Sequence, residues 1–279
     1  MQNILLPTDF SELSQHAFQI ASHLAKATGA RITALSIIPG PQGAVYGEKG
    51  QLMHDDGNDY SEWTRKLEVN KAQMKEWVSD KPEVVDYVSS IGNIDTSILA
   101  YSKSIEADLI VMGTEGQFKK SIWSKGSHAE FVSNHASIPL LSLKCDRENI
   151  NLDKIVLLSD FLEREQLNLD VLKSIQKAFS STLVLLKINT PNRIRSDEEI
   201  IKDMQEFARI NDLEKYTMEL FTDSSVEGGL GKFCAENDLD LIALGSHQGY
   251  GFSKLFKGSI SDDIVNHLYH PILTFPIDK

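Results

Sequence analysis

The strongest constraint on this chain is that its first half recurs in its second half. Four matched segments keep the same order: 4–10 with 155–161, 108–113 with 240–245, 125–127 with 257–259, and 138–140 with 270–272. The first pair is 151 residues apart and the others are 132 apart, so the first copy carries 19 extra residues (151 − 132 = 19), which we place in the segment 39–59. Ordered matches with one change of spacing indicate an internal duplication. A chain of 279 residues also suits two domains of roughly 150 residues each. We predict domains over 1–146 and 152–279.

Each copy alternates short apolar runs with longer stretches of helical period. Continuous apolar runs are typical of strands buried on both faces of a parallel sheet. The predicted strands are 3–6, 31–38, 84–88, 109–112 and 139–143, then 155–158, 183–188, 217–221, 241–244 and 272–275. Ser11 begins the first helix and Gly29 ends it, and further helices are predicted over 63–78, 95–105, 127–135, 167–179, 198–210, 226–236 and 259–267. This alternation predicts an α/β fold with right-handed crossovers and helices on both faces of each sheet.

Composition excludes several classes of protein. With 28 basic and 40 acidic residues the net charge is −12, which argues against nucleic acid or an anionic membrane as the main partner. The longest apolar stretches, such as 183–186, fall far below the roughly 20 residues of a membrane helix. The amino terminus lacks the basic region of a signal peptide, and Cys145 and Cys234 cannot form a disulfide framework. We therefore expect a soluble cytoplasmic protein.

Glycines, a serine and lysines follow the predicted fourth strand in a pattern that suits an anion. In an open parallel sheet, ligands bind beyond the carboxyl ends of the strands where the strand order reverses. If strands one and four flank that reversal, residues 7–9 meet the loop that begins at Gly113. Glycine lets the backbone approach phosphate oxygens, and N–H groups at a helix start favour negative charge. The loop is neither a Walker A motif nor a Gly-x-Gly-x-x-Gly fingerprint. We expect the Asp9 carboxylate to accept a hydrogen bond from a ribose hydroxyl or to bind a metal ion.

These residues resemble the universal stress protein family, here as a tandem, two-domain member. The nucleotide-binding signature of that family is Gly, two residues, Gly, nine residues, Gly, then Ser or Thr, and Gly113, Gly116, Gly126 and Ser127 match it. The resemblance implies two Rossmann-like domains, each with five parallel strands in the order 3-2-1-4-5, and ATP with Mg²⁺ at the strand tips. The implied nucleotide-binding residues are Pro7, Thr8, Asp9, Ile37, Met112, Gly113, Thr114, Gly116, Lys125, Gly126, Ser127 and His128. It also implies an internal pseudo-dimer through 140–143 and 272–275.

The second copy departs from this signature. Gln248 stands where the first copy has Gly116, although the span from Gly245 to Gly258 is unchanged. We predict a weaker second site at Ser159, Asp160, Gly245, Ser246, Gly249, Gly258 and Ser259. The alternative that Gly249 restores phosphate binding there, by a local rearrangement of the loop, is left undecided by the sequence. In the first copy, we expect Gly113→Val to abolish binding by filling the space of the phosphate.

Three functions remain to be weighed. The first is an ATP-binding stress-response regulator or sensor, and the second is a dimeric interaction scaffold that binds no nucleotide. The third is an enzyme such as an adenylyl-transferring ligase, for which we expect a Ser-Gly-Gly-x-Asp-Ser loop or a His-x-x-His motif, and the sequence lacks the loop. No residue stands out as catalytic, and the histidine pairs lack companions for a metal site. A slow ATPase or autophosphorylation activity stays open, and the intact glycines favour the first function.

Overall fold

The computed structural model describes residues 1–41, 44–47, 52–53, 60–113, 128–143, 152–163, 165–191, 195–247 and 270–277. The first half contains β1 (Asn3–Pro7), α1 (Glu12–Thr28), β2 (Arg31–Pro39), α2 (Ser61–Val78), β3 (Val84–Gly92), α3 (Ile94–Ser104), β4 (Leu109–Gly113), α4 (His128–His135) and β5 (Leu140–Leu143). The second half contains β6 (Lys154–Leu158), α5 (Asp170–Phe179), β7 (Thr182–Asn189), α6 (Asp197–Ile210), β8 (Tyr216–Thr222), α7 (Val226–Glu236), β9 (Leu241–His247) and β10 (Ile272–Ile277). The predicted alternation is confirmed for these elements, and the helix predicted over 259–267 lies outside the described residues.

One predicted helix boundary is wrong by three residues, with consequences for the site. The first helix of the second copy begins at Asp170 instead of residue 167, and no side chain caps it. Its counterpart α1 begins at Glu12, where the Ser11 hydroxyl accepts a hydrogen bond from the Ser14 N–H. Gly29 ends α1 with φ of 78°, a left-handed conformation that glycine adopts without strain. The first copy therefore keeps a helix start close to β1, and the second copy does not.

All ten strands form a single sheet in the order β3-β2-β1-β4-β5-β10-β9-β6-β7-β8. Each half has the order 3-2-1-4-5, read in opposite directions, so the predicted fold class is confirmed. Strands within each half are parallel, and the halves meet where β5 and β10 pair antiparallel, with Leu141 opposite Leu273. This is the pairing of fifth strands that the family resemblance implies. We call the β5–β10 pair the seam.

The hydrophobic core crosses the seam on one face of the sheet. A single cluster there includes Leu6 of the first half, Leu157 of the second half, and Leu141 and Leu273 of the seam. Helices α1 and α5 meet on this face, with the rings of His23 and Phe179 4.8 Å apart. The opposite face carries separate clusters for the two halves. Burial of apolar surface therefore joins the two copies along one face. In the part of the chain that the structure describes, no helix is long and apolar enough to cross a membrane.

Candidate functional site

A cleft of about 160 Å³ opens at the carboxyl ends of β1 and β4 in the first copy. These two strands pair with each other, and β2 lies on the other side of β1, so the cleft sits at the reversal of strand order. Helices α1, α3 and α4 contribute the remaining walls. The lining residues are Pro7, Thr8, Asp9, Ser11, Leu13, Ser14, Leu35, Ile37, Ile94, Ile98, Met112, Gly113, His128 and Ala129.

The lining residues divide into an apolar set and a polar set. The apolar set contains Leu35 and Ile37 from β2, Ile94 and Ile98 from α3, and Met112 from β4. An apolar cavity of about 150 Å³ is known to accept benzene, so this cleft has room for a planar aromatic base. The polar set contains Thr8, Asp9, Ser11, Ser14 and His128. A ligand with an aromatic part and a polar part would match both sets.

Asp9 is held as an ionised carboxylate by the start of α1. The Ser14 hydroxyl donates to Asp9 Oδ1 at 2.5 Å, and the Ser11 N–H donates to the same oxygen at 3.0 Å. Burial is the largest single influence and raises the pKa of Asp9, but the hydrogen bonds from Ser11 and Ser14 together outweigh it. The pKa therefore lies below its ordinary value, and Asp9 presents a negatively charged acceptor to the cleft at neutral pH.

Gly113 matters for a reason other than the one expected from the sequence. A Cβ on Gly113 would lie 2.9 Å from the backbone carbon and oxygen of Leu13 and from its Cβ. Real Cβ atoms do not approach backbone this closely, so the end of β4 and the start of α1 pack together only because residue 113 lacks a side chain. In Gly113→Val the first contact of the new side chain would therefore be a clash with α1, not the occupation of the phosphate space that we expected from the sequence.

An ion pair lies at the rim of the cleft between the starts of α3 and α4. His128 Nδ1 is 2.6 Å from Asp95 Oδ1, and 41% of the His128 side chain is exposed. His128 was among the predicted nucleotide-binding residues, but Asp95 was not, since the two residues are distant in the chain. Ser11 was predicted only as the start of the first helix, and Ser14, Ile94 and Ile98 were not predicted. The spacing of Ile94 and Ile98, four residues apart on one helix face, was an available signal.

Seven of the twelve predicted nucleotide-binding residues of the first copy line this cleft. They are Pro7, Thr8, Asp9, Ile37, Met112, Gly113 and His128. The other five, Thr114, Gly116, Lys125, Gly126 and Ser127, lie outside the described residues. The assignment of the whole set to a nucleotide stays a prediction, but the described part converges on one cleft.

The second copy repeats the turn after its first strand. The N–H of Phe10 donates to Thr8 Oγ1 at 3.1 Å, and the N–H of Phe161 donates to Ser159 Oγ at 3.0 Å. Both phenylalanines have positive φ, 65° and 59°. Asp160 Oδ1 accepts the N–H of Leu162 at 3.2 Å, as Asp9 accepts that of Ser11. The duplication is therefore visible in backbone geometry at the first-strand tip.

Beyond this turn the second copy differs from the first in the side chains at the matching positions. The offset of 151 places Leu162 and Glu165 opposite Ser11 and Ser14, the two residues that hold Asp9. Ile188, the counterpart of Ile37, is only 3% exposed. A Cβ on Gly229 of α7 would lie 2.7 Å from Ile188 Cγ2, so this helix sits directly on the β7 side chain.

The other predicted residues of the second site are only partly described. Gly245, two residues before the end of β9, packs against the Ile277 side chain, where Gly113 packs against a helix backbone. Ser246 belongs to β9, but its side chain lies outside the described residues. Gly249, Gly258 and Ser259 lie outside them as well. In the described part of the second site, Ile188 is therefore buried, whereas its counterpart Ile37 lines the cleft of the first copy.

Outside the cleft, the groups to consider are the described cysteine and the possible metal ligands. Burial raises the pKa of the Cys234 thiol to about 12, which leaves it protonated and weakly nucleophilic. Among the described ranges, no group of three or more His, Cys, Asp or Glu side chains is placed to hold a metal ion.

Comparison with known proteins supplies the classification. The sequence model of the Universal stress protein family matches residues 1–144 and 152–276. The chain belongs to this family. A universal stress protein from Methanocaldococcus jannaschii is 27% identical over 150 residues, which cover 51% of this chain and 82% of that protein.

Solved structures of the same family share the two-copy fold. A universal stress protein from Archaeoglobus fulgidus DSM 4304 aligns with a TM-score of 0.67 at 18% identity, covering 98% of this chain and 96% of that one. A putative universal stress protein from Pseudomonas aeruginosa UCBPP-PA14 aligns with a TM-score of 0.61 at 13% identity, covering 99% and 93%. At these identities the similarity establishes the fold alone.

Proposed function

We propose that this protein is a cytoplasmic stress-response regulator or sensor whose first copy binds ATP, accompanied by Mg²⁺. The observation that carries the proposal is the convergence of Asp9, an apolar wall and the end of β4 on one cleft at the reversal of strand order. The apolar wall suits the adenine ring, and the ionised Asp9 suits a ribose hydroxyl as hydrogen-bond donor.

The phosphate chain is assigned to the loop that follows β4. In the sequence, Gly113, Gly116, Gly126 and Ser127 match the nucleotide-binding signature of the family, and Lys125 adds a cation. Gly113 and His128, the described residues on either side of this loop, both line the cleft. Both ends of the loop therefore lie at the cleft, which supports this assignment. Backbone N–H groups of glycine-rich loops and helix starts stabilise phosphate oxygens without a catalytic side chain.

We propose that the second copy serves mainly as the partner of the first in the shared sheet. Its first-strand turn is intact, but Ile188 is buried and Leu162 and Glu165 replace the serines that hold Asp9. The competing proposal, a scaffold that binds no nucleotide, would require the first-copy cleft to stay empty as well.

Nucleotide analysis of the purified protein tests this proposal. We expect mass spectrometry of nucleotide released from native protein, and calorimetric titration with ATP, to give about one nucleotide per chain. Asp9→Asn keeps the shape of the side chain but removes its charge, and we expect it to weaken ATP binding about tenfold, the cost of one charge-assisted hydrogen bond. Asp160→Asn at the matching position of the second copy is the control and should leave binding unchanged. Absence of any adenine nucleotide binding would support the scaffold, and two equivalent sites would contradict the ranking of the copies.

A further inference from the structure

Asp95 and His128 form an ion pair beside the cleft that no step of the proposed function has used. His128 is the first residue of α4 and lines the cleft, whereas Asp95 lies in the first turn of α3 behind it. Their side chains approach to 2.6 Å, and Asp95 is 24% exposed against 41% for His128. The carboxylate is thus the more enclosed partner, and the imidazole is the one that faces the opening.

The hydrogen bond fixes the orientation and tautomer of the imidazole ring. An ionised carboxylate only accepts hydrogen bonds, so the proton on this side of the ring must be on Nδ1. Such charge-assisted bonds are short and strong, and they restrict rotation of the ring. Nε2 lies on the opposite side of the ring from Asp95. The pair therefore presents a pre-oriented nitrogen at the cleft wall.

The cleft carries a negative charge at Asp9, so a hydrogen-bond donor or positive charge elsewhere in its wall would help an anionic ligand to bind. Asp9 is the other titratable side chain among the described lining residues, and its low pKa keeps it negative at neutral pH. A polyphosphate that enters beside this carboxylate is repelled by it. A phosphate oxygen within reach of the His128 ring can accept a hydrogen bond from Nε2–H when the ring carries both protons, and this contact would offset that repulsion.

The pair is a feature of the first copy alone. The spacing of 132 that superposes the two fourth strands places Glu227 opposite Asp95 and Ile260 opposite His128. The second copy thus keeps an acid at the α3 position but has no histidine for it to orient. The histidine is therefore found in the copy whose signature glycines are complete, which favours a role in ligand contact.

We propose that His128, positioned by Asp95, contacts the phosphate chain of the bound nucleotide and makes the first copy select nucleotides over nucleosides. This inference rests on the proposed function and gives the side chain of His128, already among the predicted nucleotide-binding residues, a specific role in it. Asp95 acts only through the ring of His128 and is a positioning residue.

The test compares ATP, ADP and adenosine as calorimetric titrants of the full chain. For His128→Ala we expect the affinity for ATP and ADP to fall about tenfold or more, the cost of losing a hydrogen bond to a charged group, while the affinity for adenosine stays unchanged. His128→Gln is a second variant that preserves bulk and should show the same split. His135→Ala is the matched control, because His135 lies at the other end of α4 and stacks on Phe131 with ring centroids 4.1 Å apart.

A double-mutant cycle tests the positioning role of Asp95. Asp95→Ala should weaken ATP binding severalfold in the wild-type chain and have no further effect in the His128→Ala chain, because residues that act as one unit are not additive. Additive losses would overturn the positioning role. Unchanged ATP affinity in His128→Ala, or equal losses for ATP and adenosine, would overturn the contact with phosphate. If the wild-type chain binds neither ATP nor adenosine, the proposed function itself fails.

Discussion

Gly113 illustrates how one residue can serve a ligand site through packing. Its missing side chain lets the end of β4 lie against the backbone of Leu13 at the start of α1. That contact brings Ser14 next to Asp9 and so shapes the polar part of the cleft. Gly245 occupies the matching position of the second copy, but its neighbour is the end of the flexible Ile277 side chain. The same glycine of the repeat therefore faces helix backbone in the first half and a side chain in the second half.

The two glycines provide a matched pair of substitutions. We expect Gly113→Ala to lower the free energy of unfolding by about 1–3 kcal/mol, since backbone must move to admit the new Cβ. Gly245→Ala should cost less, because the new Cβ would meet Cδ1 and Cγ1 of Ile277, a side chain that can change rotamer without a shift of backbone. Urea denaturation of both variants measures the difference. Equal losses, or a Gly113→Ala protein as stable as wild type, would contradict the close approach of β4 and α1.

At the scale of elements, the start of the first helix separates the two copies. In the first copy α1 follows β1 after four residues, 8–11, so its first turn reaches Asp9. In the second copy residues 159–169 separate β6 from α5. Leu162, opposite Ser11, is 45% exposed. The Ser11 side chain caps α1, which a leucine cannot do, although the N–H of Leu162 still donates to Asp160 as that of Ser11 donates to Asp9.

The hydrogen bond from Ser14 to Asp9 predicts a pH-dependent contribution to stability. The pKa of Asp9 is lower in the folded chain than in the unfolded one, so the stabilisation is present above the unfolded value of about 3.9 and is lost as pH falls through the folded value. We expect Ser14→Ala to raise the pKa of Asp9 in a ¹³C carboxyl titration. It should also cost about 1 kcal/mol at pH 7, and less at pH 3.

Ser104→Ala is the control for this experiment, because the Ser104 hydroxyl donates to a backbone oxygen within α3 and does not contact Asp9. That variant should leave the titration of Asp9 unchanged. If Ser14→Ala leaves it unchanged too, the assigned cause of the low pKa is wrong.

At the scale of the whole molecule, the seam makes one sheet of two copies. Leu141 and Leu273 lie opposite each other and are 2% and 1% exposed. The Thr274 hydroxyl donates to the Leu140 carbonyl oxygen at 3.3 Å across the same pair of strands. Without the second copy, β5 would present unpaired backbone groups and apolar side chains to water, a combination that favours pairing with another edge.

The first copy expressed alone, as residues 1–146, should therefore dimerise through β5. We expect analytical ultracentrifugation to show a dimer at micromolar concentration, because a second fragment supplies the edge that β10 covers in the full chain. Leu141→Asp should convert the fragment to a monomer, since an unpaired charge would be buried in the seam. Val85→Asp is the control, because Val85 on β3 is already 50% exposed at the outer edge. A monomeric wild-type fragment would show that the seam depends on contacts outside the strands, such as those between α1 and α5.

The repeat, the alternation of elements and the residues at the tips of β1 and β4 could all be predicted from the sequence. These features can be predicted because they depend on short stretches of sequence. The period of the apolar residues determines which face of an element is buried, and glycine or serine marks where an element ends or begins. The strand order was implied by the family resemblance, and the tip residues followed from where parallel strands end. Five of these tip residues, Pro7, Thr8, Asp9, Met112 and Gly113, converge on the cleft.

Only the tertiary structure decided which copy keeps an open cleft and what surrounds Asp9. The contact of Gly113 with Leu13, the pairing of Asp95 with His128 and the burial of Ile188 all depend on how closely helices approach the sheet. Each of these features depends on contacts between segments far apart in the chain. A change of about an ångström in the distance between the elements would remove the contact or create a clash. A pattern in one sequence specifies which face of an element is buried, but the distance between two packed elements results from all their side chains together.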